Sequence, residues 1–165
     1  MKAGEIMKFR SPTDGRLTLD ETYEKIINFI KSDSDYEYKL IVGTDSQPGF
    51  SEVVFVTAIV IYRIGRGGRY FYHKDNVRFK SGMKQRIFYE VSRSLEVASK
   101  LTLFLSEEEQ LEEDIELEIH VDVGHNGPTN EIIREVTGMV VGSGFEAHIK
   151  PDAYAASTVA DKFTR

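Results

Sequence analysis

The sequence predicts a mixed α/β domain whose core runs βββαβαβα behind one extra N-terminal helix. Three observations predict it. Residues 37–79 hold three runs rich in β-branched and aromatic residues, separated only by QPGFS and GRGG, and such short links demand an antiparallel meander. From Ser81 the apolar period turns helical. The later strands are then separated by helical stretches, so they arrive by right-handed crossovers that lay helices on both faces of a mixed, five-stranded sheet. At 165 residues and 18.8 kDa, one domain spanning 1–165 is expected, with 1–36 an N-terminal extension carrying a helix and 37–165 the core.

Taken in order, residues 1–17 offer the turn-like SPTDG and little else. Thr18 and Glu21 have capping-box spacing ahead of Tyr23, Ile26, Ile27 and Ile30, which predicts an amphipathic helix ending near Lys31. KLIVGTDS reads as a buried strand that runs into Asp45, EVVFVTAIVIYRI as a long second strand, and RYFYHKDNVRF as a third. Ile87, Val91, Leu95 and Ala98 then recur at helical spacing to about Leu105, with Ser81 as the expected N-cap. After the acidic loop SEEEQLEED, Leu117, Ile119, Val121 and Val123 alternate with Glu118, His120 and Asp122, giving a strand with one polar face. GHNGPT opens a helix that ends at Gly142 and Gly144, FEAHIK is a short strand, and Pro151 opens a last helix of small residues.

Composition narrows the chemistry. Hydrophobic residues at 41% support a real core, and 21 Lys+Arg against 27 Asp+Glu, net −6, argue against a protein that coats nucleic acid or membrane by overall charge. The absence of Cys removes disulfides, thiolate metal sites and cysteine nucleophiles, so any metal must use oxygen or His ligands. MKAGEIMKFR lacks an apolar stretch of signal-peptide length, and the run Val53 to Tyr62 is far short of a membrane span. A soluble cytoplasmic protein is the expectation.

Three acids stand where packing alone would not put them. Asp45 ends a buried strand, Glu90 lies in the first turns of the long helix, and Asp122 ends the polar-faced strand. Aspartate is poor in strands and costly beside a core unless something positive neutralises it, and a divalent cation is one such partner. A carboxylate set without Cys favours Mg²⁺ or Mn²⁺ over Zn²⁺.

With acids at the end of the first strand, in the first helix and at the end of the fourth strand, residues 37–165 resemble the ribonuclease H-like superfamily. VGTDSQ, HVDVGHNGPT and KPDAYAASTVADKFTR together resemble the YkuK-like family of predicted ribonuclease H-like proteins. The resemblance implies a ribonuclease H-like fold and two-metal hydrolysis of nucleic-acid phosphodiester bonds. It maps Asp45 onto the central-strand aspartate that bridges both metals, Glu90 onto the helix glutamate and Asp122 onto the fourth-strand aspartate. A fourth carboxylate is expected on the C-terminal helix, where Asp152 and Asp161 compete. Asp152 suits the dipole of a first helical turn, whereas Asp161 borders the Ala153, Ala156, Ala160 stripe without that reason, so Asp161 is the choice. The short link between the last strand and last helix lacks the histidine some ribonucleases H carry there.

Charge placement points to a nucleic-acid partner. From Arg63 to Arg86 eight basic residues face Asp75 alone, a segment charge of +7, while residues 106–118 carry eight acids and no base. Arg78, Lys80, Lys84 and Arg86, nearest Glu90 in sequence, are the expected substrate contacts, with Tyr70, Phe71, Tyr72 and Phe79 as aromatics that could stack on bases or fill the core. His125 is a further loop contact to weigh against simple exposure. VDVGHNGPT also resembles the phosphate loop of actin-like ATPases, which close two such domains around ATP where this length supplies one. The expected function is a metal-dependent nuclease acting on RNA, DNA or a hybrid, with a non-catalytic nucleic-acid-binding module as the alternative. A protein-interaction domain docking through the N-terminal helix or acidic loop is a third reading.

Overall fold

A computed structural model of the chain describes residues 7–78, 82–108, 115–123, 130–149 and 163. The elements are β1 (Lys8–Ser11), β2 (Gly15–Thr18), α1 (Leu19–Lys31), β3 (Tyr38–Pro48), β4 (Val53–Arg63), β5 (Gly67–Val77), α2 (Met83–Ser106), β6 (Glu116–Val121), α3 (Asn130–Gly142) and β7 (Glu146–His148). The strands form one mixed sheet in the order β2-β1-β5-β4-β3-β6-β7. The meander β3–β4–β5 is antiparallel, and β6 and β7 add in parallel after α2 and α3, as the sequence predicts.

The sheet has seven strands rather than the expected five. The extra pair is the β1–β2 hairpin, closed around residues 12–14 with Gly15 at φ 74, a left-handed backbone that glycine adopts without strain. Each of these strands is four residues long and buries one large side chain, Phe9 or Leu17, too short a run for alternation to register in sequence. Through Arg10 opposite Tyr72, the hairpin covers the free edge of β5.

Helix α1 starts with the expected capping box. The Glu21 amide donates to Thr18 Oγ1 at 3.1 Å, and the Thr18 amide donates to Glu21 Oε1 at 3.0 Å. The N-cap of α2 is Gly82 in extended conformation, with no side-chain cap hydrogen bond, rather than Ser81, which lies outside the described residues.

Strand alternation sorts the core. Leu40 and Val42 of β3, Ile59 and Ile61 of β4, Phe71 of β5 and Ile119 and Val121 of β6 join the buried faces of α1, α2 and α3 in one apolar cluster. Ile41, Val56, Ala58 and Val60 point to the opposite face, where Tyr70, Tyr72 and Phe163 pack. Phe163, helical in conformation, stacks on the Tyr72 ring with centroids 3.7 Å apart. Tyr70 and Tyr72 are half-buried under Phe163, and Phe71 is core.

Candidate functional site

The site is built where β3 and β6 end. Their last parallel pair is Thr44 with Val121, so Asp45 and Asp122 each follow it by one residue, and the Val123 amide, donating to the Val121 carbonyl at 2.8 Å, turns the chain at Asp122. From this point β3 continues to Pro48 with β4 alone as its ladder partner. The chain leaves β3 toward β4 on one side and leaves β6 toward β7 on the other. Such a divergence at the carboxyl ends of parallel strands opens a crevice.

Glu90 reaches this crevice from α2. Alternation along β3 turns Thr44 and Ser46 toward α2 and Asp45 toward the other face. Thr44 Oγ1 lies 2.8 Å from Ser94 Oγ and 3.1 Å from Thr57 Oγ1, and the Ser46 hydroxyl donates to Glu90 Oε2. Two hydroxyls two residues apart on the strand thereby meet two helix residues four apart, one turn, and fix the carboxyl of Glu90 over the strand end.

Asp45 is 8% exposed and Glu90 6% exposed. Burial pushes the Glu90 carboxyl well above the ordinary carboxylate range; the Ser46 hydrogen bond opposes this, the charges of Asp45 and Asp122 push it higher, and Arg86 opposes. Glu90 therefore feels both other acids singled out by the sequence, although the three do not bring ligand atoms within 4.8 Å of one another. Asp161, the fourth, lies outside the described residues, as do Asp152, His125, Lys80 and Phe79.

Of the basic residues, Arg86 stands one helical turn before Glu90, half-buried, with a buried Nε that has no hydrogen-bond partner among the described residues. Lys84 is exposed, with Nζ 3.9 Å from Glu135 and 5.8 Å from the Phe88 ring centroid. Arg78 is exposed just past β5. Asp75, the lone acid of the basic segment, is ion-paired with the buried Arg93 on α2, which removes it from the surface balance.

A second polar cluster departs from the sequence-based expectation. The polar side of β6 is buried rather than solvated, with Glu118 at 3% and His120 at 5% exposure. Lys39 Nζ lies 2.7 Å from Glu118 Oε2, while His120 Nε2 and His148 Nε2 lie 3.1 and 3.3 Å from its Oε1. Burial works to raise the Glu118 pKa, but the hydrogen bonds from Lys39 and His120 outweigh it and hold the carboxyl below its ordinary value. The one signal in the sequence that points to the cluster is a repeated Glu-x-His, at Glu118–His120 and again at Glu146–His148.

The ribonuclease H-like family model matches residues 21–165. The chain belongs to the ribonuclease H-like family. It is 30% identical over 166 residues to the uncharacterized protein YkuK of Bacillus subtilis (strain 168), an alignment covering 95% of this chain and 96% of that protein. No solved structure matches it. The match begins within α1 and takes in every element that carries the acids, leaving the β1–β2 hairpin outside. Among the described residues, no helix is long and apolar enough to cross a membrane.

Proposed function

We propose that this ribonuclease H-like protein is a nuclease that hydrolyses nucleic-acid phosphodiester bonds with Mg²⁺ or Mn²⁺ held by Asp45, Glu90 and Asp122, and by Asp161 as the fourth carboxylate. The observation that carries the reading is Glu90, a buried carboxyl anchored by Ser46 beside two further acids whose charges it feels. The donor set fits a hard cation: these residues offer only carboxylate oxygens, and their mutual repulsion in a low-dielectric crevice is relieved by positive charge. When bound, such ions activate water and stabilise the leaving oxygen at a phosphodiester.

The chain's own residues do the rest. Ser46 and Thr44 hold α2 and the end of β3 in a fixed relation, so Glu90 is oriented before substrate arrives. Arg86, whose charge acts on Glu90, supplies a guanidinium beside the acids for a phosphate oxygen. Arg78 and Lys84 extend the positive side outward, and Lys80 between them in sequence belongs to the same proposal. Family membership supports a nucleic-acid-related role, and the acids turn that toward catalysis.

The alternative is a nucleic-acid-binding module without turnover. Burial of Glu90 favours it, since desolvation raises the carboxyl's pKa and lets it rest neutral without an ion. Calorimetric titration of Mn²⁺ into wild type and Asp45→Asn tests the proposal at its base: wild type takes up ions, Asp45→Asn binds them more weakly or not at all, and wild type cleaves RNA, DNA or hybrid only with metal. Salt-sensitive binding that survives chelation, without cleavage, would establish the module instead.

A further inference from the structure

The polar cluster on β6 and β7, buried at Glu118 and His120 and open at Glu146, has its own chemistry. The two strands pair in parallel with Glu118 opposite Glu146 and His120 opposite His148, so the two Glu-x-His segments lie side by side in register. Alternation puts all four side chains on the sheet face opposite α1, α2 and α3. One carboxylate oxygen, Glu118 Oε1, collects both imidazoles, with His120 Nε2 at 3.1 Å and His148 Nε2 at 3.3 Å, and His148 Nε2 also lies 2.9 Å from Glu146 Oε1. Ligand atoms of Glu118, Glu146 and His148 fall within 4.8 Å of one another.

We infer that Glu118, Glu146 and His148 form a binding site for a first-row transition metal of the Zn²⁺ class, with His120 beside it on Glu118 Oε1, separate from the Asp45, Glu90, Asp122 centre. The spacing decides in favour of an ion. Ligands about 2.1 Å from Zn²⁺ in a tetrahedron stand roughly 3.4 Å apart, so the His148 Nε2 contacts of 3.3 Å to Glu118 and 2.9 Å to Glu146 need to open by only a few tenths of an ångström. Imidazole donors select Zn²⁺, Co²⁺, Ni²⁺ or Cu²⁺ over Mg²⁺, which the carboxylate-only centre prefers. Lys39 occupies Glu118 Oε2 and leaves Oε1 turned to the histidines. His120, 5% exposed, donates its Nε2–H to Glu118 Oε1 and leaves its Nδ1 without a hydrogen-bond partner among the described residues, so it orients the Glu118 carboxylate beside the site. The ion would tie β7, a three-residue strand at the end of the sheet, to β6.

His120 and Asp122 are alternate residues of one strand and its extension, so the test must separate the two centres. Chelator-treated full-length protein is titrated with Co²⁺ alone, read by its visible absorption and by metal content per chain. Wild type is expected to take up one Co²⁺ with the intense bands of a four-coordinate ion, and to melt at higher temperature when loaded. His148→Ala is expected to weaken uptake by about 100-fold or more. Glu146→Gln, at an exposed position on the edge strand, should weaken it in the same direction and guards against a folding defect in the histidine variant. Asp45→Asn should leave the bands unchanged, whatever it does to Mn²⁺ at the other centre. Absence of Co²⁺ and Zn²⁺ uptake, or uptake abolished by Asp45→Asn and untouched by both His148→Ala and Glu146→Gln, overturns the inference.

Discussion

Glu90→Gln should stabilise the metal-free protein, and by an amount that grows with pH. Because Glu90 is buried among like charges, its native carboxyl binds a proton more tightly than the unfolded one, whose ordinary value is 4.5. Between those two values the native state holds the extra proton, so stability is fully present below about pH 4.5 and is lost as pH rises toward the native pKa. The loss runs at about 1.4 kcal/mol per pH unit for one such group. Glutamine keeps a side-chain oxygen for the Ser46 hydroxyl and carries no charge. The difference in unfolding free energy between variant and wild type should therefore climb with pH above the ordinary carboxylate range, no faster than that slope, and level off at the native pKa. Buried His73 and His120, whose pKa values burial lowers, tilt stability the other way, but they tilt both proteins alike and cancel in the difference. Urea unfolding in EDTA across that range is the assay. Saturating Mg²⁺ should then favour wild type, by about 2.7 kcal/mol at a hundred times its Kd. Parallel stability curves for the two proteins in EDTA would refute the claim that Glu90 is a strained, repelled carboxyl.

Two further outcomes follow from the same geometry. Arg93→Met takes the buried guanidinium away from Asp75 and should cost about 3 kcal/mol, most of it recovered by adding Asp75→Leu; a loss below about 1 kcal/mol in urea unfolding would show the pair to be structurally idle. Arg78→Glu combined with Lys84→Glu should leave the urea midpoint in place, both side chains being exposed, while flattening the salt dependence of nucleic-acid binding by about 0.7–0.9 for each phosphate that is no longer neutralised; an unchanged slope in a fluorescence-anisotropy titration would remove these residues from the interface.

Much of the fold is legible in the sequence because it rests on long, strongly periodic segments. β3 and β4 are eleven residues each and almost entirely buried, and α2 repeats Ile87, Val91, Ser94 and Ala98 against the sheet. The β1–β2 hairpin is not, since two four-residue strands offer one buried side chain each. At the candidate site, Asp45, Glu90 and Asp122 stand out as acids against an apolar background, but their anchoring is silent: Ser46 and Thr44 become informative only once α2 lies across β3. The Glu118 network escapes the sequence for a different reason. An alternating polar face looks the same whether it meets water or its mirror motif on a neighbouring strand, and only the pairing of β6 with β7 distinguishes them.

The pairing of β3 with β6 also carries a kinetic meaning. The meander β3–β4–β5 closes through turns of three or four residues, so its contacts are local and cheap in chain entropy. Asp45 and Asp122 are 77 positions apart (122 − 45), and they become neighbours only when the parallel ladder from Lys39–Glu116 to Thr44–Val121 zips up behind α2. The half of the domain bearing Asp45 can therefore form early, while the acidic crevice waits for the slowest, most distant contact in the sheet. A nascent chain would hold most of its hydrophobic core before Asp45, Glu90 and Asp122 stood together, which keeps the acidic group unassembled until the domain is nearly complete.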